Sequence, residues 1–578
     1  MTIRIQPTVP SPKIYYYSYC YCWWYMGLVT LAVSCILRPP ALLVHGWATT
    51  PTRVLGIVGR TSALVASSAE TTRHRHGASL SMSQSPSSSS FGSILGNLVS
   101  SSSWRNRSNS GPSAVPGLDQ ALIESPRSSW NEIRSLLESR MTTNAERNFR
   151  NNLSTGYGVA SPLHNVRLYD EANQESDVRV TFYRDSASWC PYCQKVWMTL
   201  EEKRIPYRVE RVNMRCYGDK PASFFRIQPG GQIPVAVIDG KVYGQSNDIL
   251  YALEEAFPQH KSLAPPQGMA MEAQRLLRLE RSLFSVWMYW LTGGRQRDEF
   301  RATLAEVETA LAQNTDGPFF LGRDVTMVDC MFAPFLERMA ASLLYFKGFQ
   351  FRVAPGVPTD YPAINAWFDA METRESYQLT KSDYYTHCWD LPPQLGGCVY
   401  EKGGEPFEQA INGDRRLDGT HKSWELPLAP HNGGIEPDWE WAGDEAAARR
   451  EAVERVSANH QAIVKFAARG AGTKGLVPFS APLADPKATP NEAVLQAVDT
   501  CLQIVCLALL EGTDKYDTDM VKVAHIIQEK GGQEFTNGVV ASLAYLRDRV
   551  GVPRDMRLPA ARQLRAHLNW SVGKLLDT

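Results

Sequence analysis

Apolar and polar positions change period several times along this chain, and each change marks a predicted element. Val178, Val180 and Phe182 alternate with polar residues, the period-two pattern of a half-buried strand. Cys193–Lys203 then follows a helical period, with Val196, Trp197 and Leu200 on one face. Tyr207–Val212 reads as a second strand. Val235–Ile238 and Lys241–Tyr243 flank Asp239-Gly240, a dipeptide suited to a two-residue hairpin. Asn247–Phe257 predicts a helix with Ile249, Leu250 and Leu253 inward.

That order, placed within 177–262, is the order of a thioredoxin-like domain. From Met269 to Tyr377 the pattern is helical. Phe300, Leu304, Val307 and Leu311 form one apolar stripe, and Ile364, Trp367, Phe368 and Met371 another. Thr326-Met-Val-Asp329 has capping-box spacing: the hydroxyl accepts a first-turn amide while the carboxylate reaches back. Pro334 lies deeper than the first turn of that helix, which predicts a kink. An all-helical segment is therefore expected over 263–391. A Pro/Gly/Trp-rich, irregular linker follows over 392–443, then a helical block over 444–578, clearest at Ala493–Leu510 and Ala560–Leu576. Upstream, 119–176 reads as a short helix (Ser129–Arg140, with Trp130, Ile133, Leu136 and Leu137 spaced for one face) and a linker.

Composition narrows the reading. The chain has 578 residues, 43% apolar and 21% charged, which excludes wholesale disorder and leaves room for several domains. Lys+Arg and Asp+Glu are equal at 60 each, so no nucleic-acid partner is expected. The exception is local: from Met1 to Leu118 the only acid is Glu70. Residues 1–48 read as a signal-like hydrophobic leader, with Arg4 and Lys13 ahead of an apolar run at Met26–Leu37. Residues 49–118 are Ser/Arg-rich and transit-like. Together they resemble the bipartite leader of algae with complex plastids. A secretory signal, a signal anchor and a merely disordered N-terminus remain the alternatives.

The candidate chemistry begins at Trp189-Cys190-Pro191-Tyr192-Cys193, directly after a strand and opening a helix. There the unpaired N–H groups and positive dipole end of the helix stabilise a thiolate at Cys190, and Lys195 adds charge. Cys193 is spaced to act as a resolving thiol. Two buried structural cysteines, or half of a zinc site, are the other readings. The second C-x-x-C or His pair that zinc would need is missing, so no metal is expected. Gln232-Ile233-Pro234 stands just before the hairpin, where a thioredoxin-like domain places a cis proline. Gln245-Ser246 opens the next helix, whose N–H groups could hold a carboxylate, although an ordinary serine cap fits as well. The other cysteines downstream of the leader, Cys216, Cys330, Cys388, Cys398, Cys501 and Cys506, show no metal spacing and read as buried thiols.

Val180–Phe257 with Met269–Tyr377 resembles a cytosolic-type glutathione transferase. The cysteine places it with the omega-like classes (omega, lambda, dehydroascorbate reductase). The longer pattern DSASWCPYCQKVW, KRIPYR and KSDYYTHCWDLPPQLGG is similar to a plant and algal glutathione-transferase-like family, many of them with plastid leaders. The resemblance implies a thioredoxin-like half, an all-α transferase half and, in this chain, the additional C-terminal helical block. It implies glutathione as cosubstrate and Cys190 as the residue forming a mixed disulfide with it. Lys220 matches the contact to the glycyl carboxylate, Ile233 with Pro234 the backbone that pairs with the cysteinyl part, and Gln245 with Ser246 the grip on the γ-glutamyl end. The usual Glu at position 245 is Gln here, which removes a charge partner for the tripeptide's ammonium. Trp287, Tyr289 and Trp290, with Phe284, are candidates for an aromatic second-substrate pocket or else core residues.

Two function classes follow. One is a thiol transferase or reductase acting on a small electrophilic or disulfide substrate: deglutathionylation, or reduction of dehydroascorbate or a quinone adduct. The other is a non-catalytic binding or assembly module, favoured by Gln245 and the C-terminal block. The fold's habit suggests a homodimer, and a membrane role requires the hydrophobic leader to be retained.

Overall fold

The protein is described here by a computed structural model covering residues 111–125, 128–141, 143–152, 161–169, 174–412, 445–474 and 487–578. Except for 111–118, both leader segments lie outside the described residues, as do 413–443 of the linker. The helices, in chain order, are α1 (Leu118–Ile123), α2 (Trp130–Arg140), α3 (Asn144–Asn152), α4 (Pro191–Lys203), α5 (Ala222–Ile227), α6 (Ser246–Ala256), α7 (Ala270–Leu291), α8 (Arg297–Ala312), α9 (Met327–Lys347), α10 (Pro362–Glu372), α11 (Glu375–Thr380), α12 (Tyr384–Leu395) and α13 (Glu405–Asn412). The last five are α14 (Glu445–Ala458), α15 (His460–Ala467), α16 (Leu495–Glu511), α17 (Thr513–Arg547, broken at Gly532) and α18 (Leu558–Leu576).

The strands are β1 (Val166–Arg167), β2 (Val180–Asp185), β3 (Tyr207–Val212), β4 (Val235–Ile238) and β5 (Lys241–Tyr243), in sheet order β1-β3-β2-β4-β5. β2 runs parallel to β3, with Val180 opposite Tyr207, and antiparallel to β4, with Val180 opposite Ile238. The β4–β5 hairpin turns at Asp239 (φ 49°) and Gly240 (φ 80°), the paired positive φ values that Asp-Gly tolerates. β1 covers the outer edge of β3 antiparallel to it, and its two residues carry no period for the sequence to show. α4 and α6 lay Val196, Leu200, Ile249, Leu250 and Leu253, all buried, against this sheet.

The helical half shares that core and is organised around α9, buried along its whole length. Its capping box forms as expected. Asp329 Oδ2 accepts from the Thr326 amide (2.9 Å) and hydroxyl (3.0 Å), and Oδ1 from Phe320 N (3.1 Å) and Trp367 Nε1 (3.0 Å). α9 continues as one helix through Pro334, whose carbonyl accepts from Arg338 Nη1 at 2.5 Å. The irregular stretch expected from Pro392 instead begins inside a helix. Asp383 caps α12 by accepting from Thr386 N (3.0 Å), and α12 runs through Pro392 and Pro393 to Gly396 (φ 83°).

The C-terminal helices form a second hydrophobic core. It takes in Leu118, Leu122, Trp130, Ile133 and Leu137 from α1 and α2, so the start of the described chain packs on its end. Trp130 Nε1 donates to Asp499 Oδ1 (2.9 Å), and Arg140 pairs with Glu511 (2.6 Å). Glu492–Glu511 is long and apolar enough to cross a membrane by length and composition alone. Its side chains are mostly buried in this core, as a core helix requires.

Candidate active site

β2 ends at Asp185, and after four intervening residues the chain enters α4 with Cys190 as N-cap and Pro191 in the first turn. Proline suits that position, because its missing N–H would have no helical partner there. Asp185 clamps the connecting loop: Oδ2 accepts from Trp189 N (2.6 Å) and Cys190 N (3.1 Å). Cys190 is 7% exposed and Cys193 1%. Burial, and then the neighbouring Cys190, push the Cys193 thiol well above its ordinary value and keep it protonated.

Trp189 is fixed at three points. Its Nε1 donates to His387 Nδ1 at 3.0 Å, its carbonyl accepts from Arg338 Nη2, and the Arg338 guanidinium lies 4.8 Å from its ring centroid. Arg338 Nη1 also donates to Gln194 Oε1 (2.8 Å), while Gln194 Nε2 donates to Glu337 Oε2 (3.1 Å). Behind the site, Asp390 accepts the Tyr217 hydroxyl at 2.7 Å. Burial raises Asp390 to about 7; Tyr217 and Arg554 pull it down, Asp185 pushes it up and Arg338 again lowers it.

A carboxylate oxygen of Asp185 and the two sulfurs of Cys190 and Cys193 lie within 4.8 Å of one another. Three donors fall short of a closed structural zinc site, which takes four. Lys195 divides its charge between the Cys190 sulfur and Glu280. Its Nζ lies 3.7 Å from Glu280 Oε1, and burial lowers its pKa to about 8, against the pull of Glu280. Glu280 also pairs with Arg281, whose guanidinium lies 4.6 Å from the Phe284 ring and 4.8 Å from Phe335. Tyr192 packs edge-on against Phe335 at 5.7 Å, which places an aromatic, cation-edged surface beside the cysteine motif.

Of the residues matched to glutathione contacts, Lys220 Nζ donates to Asn213 O at 2.7 Å. Burial lowers its pKa, and Cys216, Cys190 and Cys193 oppose the shift from nearby. The Ile233–Pro234 bond is cis. Gln245 is the extended N-cap of α6, and Ser246 its buried first residue. Trp287 and Trp290 are interior: their Nε1 groups donate to Ser342 Oγ (3.0 Å) and Glu401 Oε1 (2.7 Å). Tyr289 is exposed at 55%. The helical period of these aromatics shows which positions share a face, not which face meets the sulfur. Glu337 and Arg338 carried no sequence signal of their own, and Asp185, His387 and Asp390 none beyond standing inside DSASWCPYCQKVW and KSDYYTHCWDLPPQLGG.

A thioredoxin-like half that presents an N-capping cysteine, joined to an all-helical half, defines a glutathione-transferase architecture. The family models agree: the Glutathione S-transferase N-terminal domain matches residues 189–256 and the C-terminal domain residues 272–370. The chain belongs to the glutathione S-transferase family, whose cosubstrate is glutathione. It is similar to Glutathione S-transferase DHAR2 of Arabidopsis thaliana, 30% identical over 196 residues, 33% of this chain and 84% of the relative. It is also similar to Glutathione S-transferase DHAR3, chloroplastic, of the same plant, 29% identical over 196 residues, 34% of this chain and 69% of the relative. Among solved structures, the dehydroascorbate reductase of Chlamydomonas reinhardtii is 24% identical, with a TM-score of 0.30, over 36% of this chain and 94% of that one.

Proposed function

We propose that this chain is a glutathione-dependent thiol transferase or reductase in which Cys190 is the catalytic residue. The observation that carries the reading is the placement of Cys190 as N-cap of α4, clamped through its amide by Asp185, with the protonated Cys193 buried behind it. The Cys190 thiolate attacks the glutathione sulfur of a mixed disulfide. The Cys190–glutathione disulfide forms as the old S–S bond breaks, and the substrate thiolate leaves and takes up a proton. A second glutathione then attacks the glutathionyl sulfur, freeing Cys190 and forming glutathione disulfide. Dehydroascorbate and quinone adducts are the other electrophiles suited to this chemistry. The similarity to Glutathione S-transferase DHAR2 favours the former.

In this reading glutathione lies along Ile233-Pro234, with Lys220 toward its glycyl carboxylate and Gln245 with Ser246 toward its γ-glutamyl end. The second substrate sits over Tyr192, Phe284 and Phe335 beside Arg281. Trp287 and Trp290 stiffen the wall behind, and Tyr289 stands outside it. The leader directs the protein to a plastid, as the name of the chloroplastic relative favours. The second reading, a non-catalytic assembly module, rests on Gln245.

The test uses the full chain as wild type, Cys190→Ser and Cys193→Ser, given a small glutathione mixed disulfide and excess glutathione. Loss of turnover in Cys190→Ser alone, with a glutathione adduct by intact mass on Cys193→Ser, is expected. Folded wild-type protein with neither turnover nor adduct would overturn the reading in favour of the module.

A further inference from the structure

α12 is a helix shared between two jobs. His387, Asp390 and Gln394 stand at i, i+3 and i+7 and so line one face. All three meet the segments that carry the cysteine site. His387 Nδ1 accepts from Trp189 Nε1, Asp390 accepts from Tyr217, and Gln394 Nε2 lies 2.6 Å from Cys216 Sγ. The Tyr217 segment leads to Lys220 and is tied to the strand–helix loop, where Ser186 Oγ donates to Asn213 Oδ1 (2.6 Å) and Ser186 N to Val212 O (3.0 Å). Both flanks of Cys190 therefore lean on one face of α12.

The beginning of α12 faces the C-terminal block. Arg565 of α18 donates from Nη1 to Asp383 Oδ2 (2.5 Å) and from Nη2 to Val550 O (2.5 Å), and its guanidinium lies 4.6 Å from the Tyr385 ring. Tyr385 OH donates to Asp548 O (3.2 Å), and Ser382 Oγ to Val552 O. Asp383 uses its other oxygen to cap α12, so the arginine holds the capping residue itself. Arg554, in the loop between α17 and α18, lies within electrostatic range of Tyr217 and Asp390. A block that was merely tethered would meet the transferase halves through exposed side chains. Here the seam is a buried ion pair, with Arg565 at 5% and Asp383 at 1% side-chain exposure. Such a pair fixes geometry more than it adds stability. The matched family regions end at residue 370, before α12 begins.

We infer that the C-terminal helical block is part of the thiol site, with Arg565 as the positioning residue that acts on Cys190 through α12. The inference rests on the thiol-transfer reading for its consequence, since what the block positions is the attacking cysteine. Tyr217, Arg554, Asp185, Arg338 and Cys216 all act electrostatically on Asp390. Glu337, Arg338 and Asp383 face His387. Moving α12 alters both sets at once.

The experiment compares full-length wild type, Arg565→Gln, Arg565→Lys and Tyr385→Phe. The pH profile of Cys190 alkylation by iodoacetamide, mapped to that residue by peptide mass, is read beside kcat and KM for glutathione. Expected is a displaced alkylation profile and a roughly tenfold lower kcat in Arg565→Gln, with KM within about twofold and partial rescue in Arg565→Lys. A wild-type profile and kcat in folded Arg565→Gln and Tyr385→Phe would overturn the inference. Should Arg565→Gln fail to fold, Ser382→Ala and Tyr385→Phe take its place: a displaced profile in either supports the inference, and a wild-type profile in both overturns it. Alkylation needs no glutathione, so a wild type that alkylates normally but does not turn over sinks the thiol-transfer reading and leaves this test standing.

Discussion

The indole Nε1 of Trp189 and the Nδ1 of His387, 198 residues apart in sequence, meet in a 3.0 Å hydrogen bond next to the candidate nucleophile. Because Nδ1 accepts, the ring proton sits on Nε2, which lies 3.2 Å from Glu337 Oε1. Burial lowers the His387 pKa, against the pull of Glu337, so the ring stays neutral and its acceptor stays available.

His387→Phe keeps the ring's bulk and leaves the Trp189 donor buried without an acceptor, at a cost of about 1–3 kcal/mol. A lower thermal midpoint and slower thiol transfer are expected. Scanning calorimetry with a parallel activity assay checks both, and an unchanged kcat would separate Trp189 from the chemistry.

Restoring the acidic residue at position 245 should tighten glutathione binding. A charge-assisted bond to the γ-glutamyl ammonium contributes about 1.5–3 kcal/mol, and about 1.4 kcal/mol is tenfold in Kd. Gln245→Glu is therefore expected to bind glutathione at least about tenfold more tightly by titration calorimetry. Equal affinity would remove Gln245 from the binding site.

Asp329 carries the capping box and two further donors, so Asp329→Ala strands Thr326 N, Phe320 N and Trp367 Nε1 together. The expected loss is about 3–5 kcal/mol, read from urea unfolding of variant and wild type. A loss under about 1 kcal/mol would mean that water replaces the carboxylate in the variant.

Asp390 makes stability fall with pH. Its carboxyl stays protonated in the folded chain up to about 7, while the unfolded chain ionises near the ordinary 3.8. Between those values the folded state binds more protons, so its stabilisation is full at the acid end and is lost as pH rises toward about 7, on the order of 4 kcal/mol. Asp390→Asn should therefore gain on wild type between about pH 4 and about pH 7 in denaturant midpoints, and no further above that. A difference that does not change with pH would place the titration elsewhere.

The sequence is most legible where a local rule binds. Asp239-Gly240 announces its hairpin because few dipeptides accept two positive φ values, and Thr326 with Asp329 announces a helix start. Cys190 is legible for the same reason, since its chemistry depends on a helix end that the pattern already locates. What surrounds the cysteine is not local. His387 and Asp390 look like any helix residues until α12 is laid across Trp189 and Tyr217. Trp287 and Trp290 show the period of a helix without showing that their face turns inward. Pro392 and Pro393 read as a helix end, yet α12 carries them to its last turn. The helix period at Trp130 predicts an amphipathic helix correctly and is silent about its partner.

That partner has a consequence for synthesis. Trp130 and Asp499 are separated by 369 residues, and Arg140 reaches Glu511. At about 5–20 residues per second, the ribosome needs roughly 20–70 s to bring the second of each pair into being. Through that interval Trp130, Ile133 and Leu137 have no core to enter, while the sheet and helices between them can already close. α2 is thus made early and buried late, and a chaperone has that long a window in which to hold it.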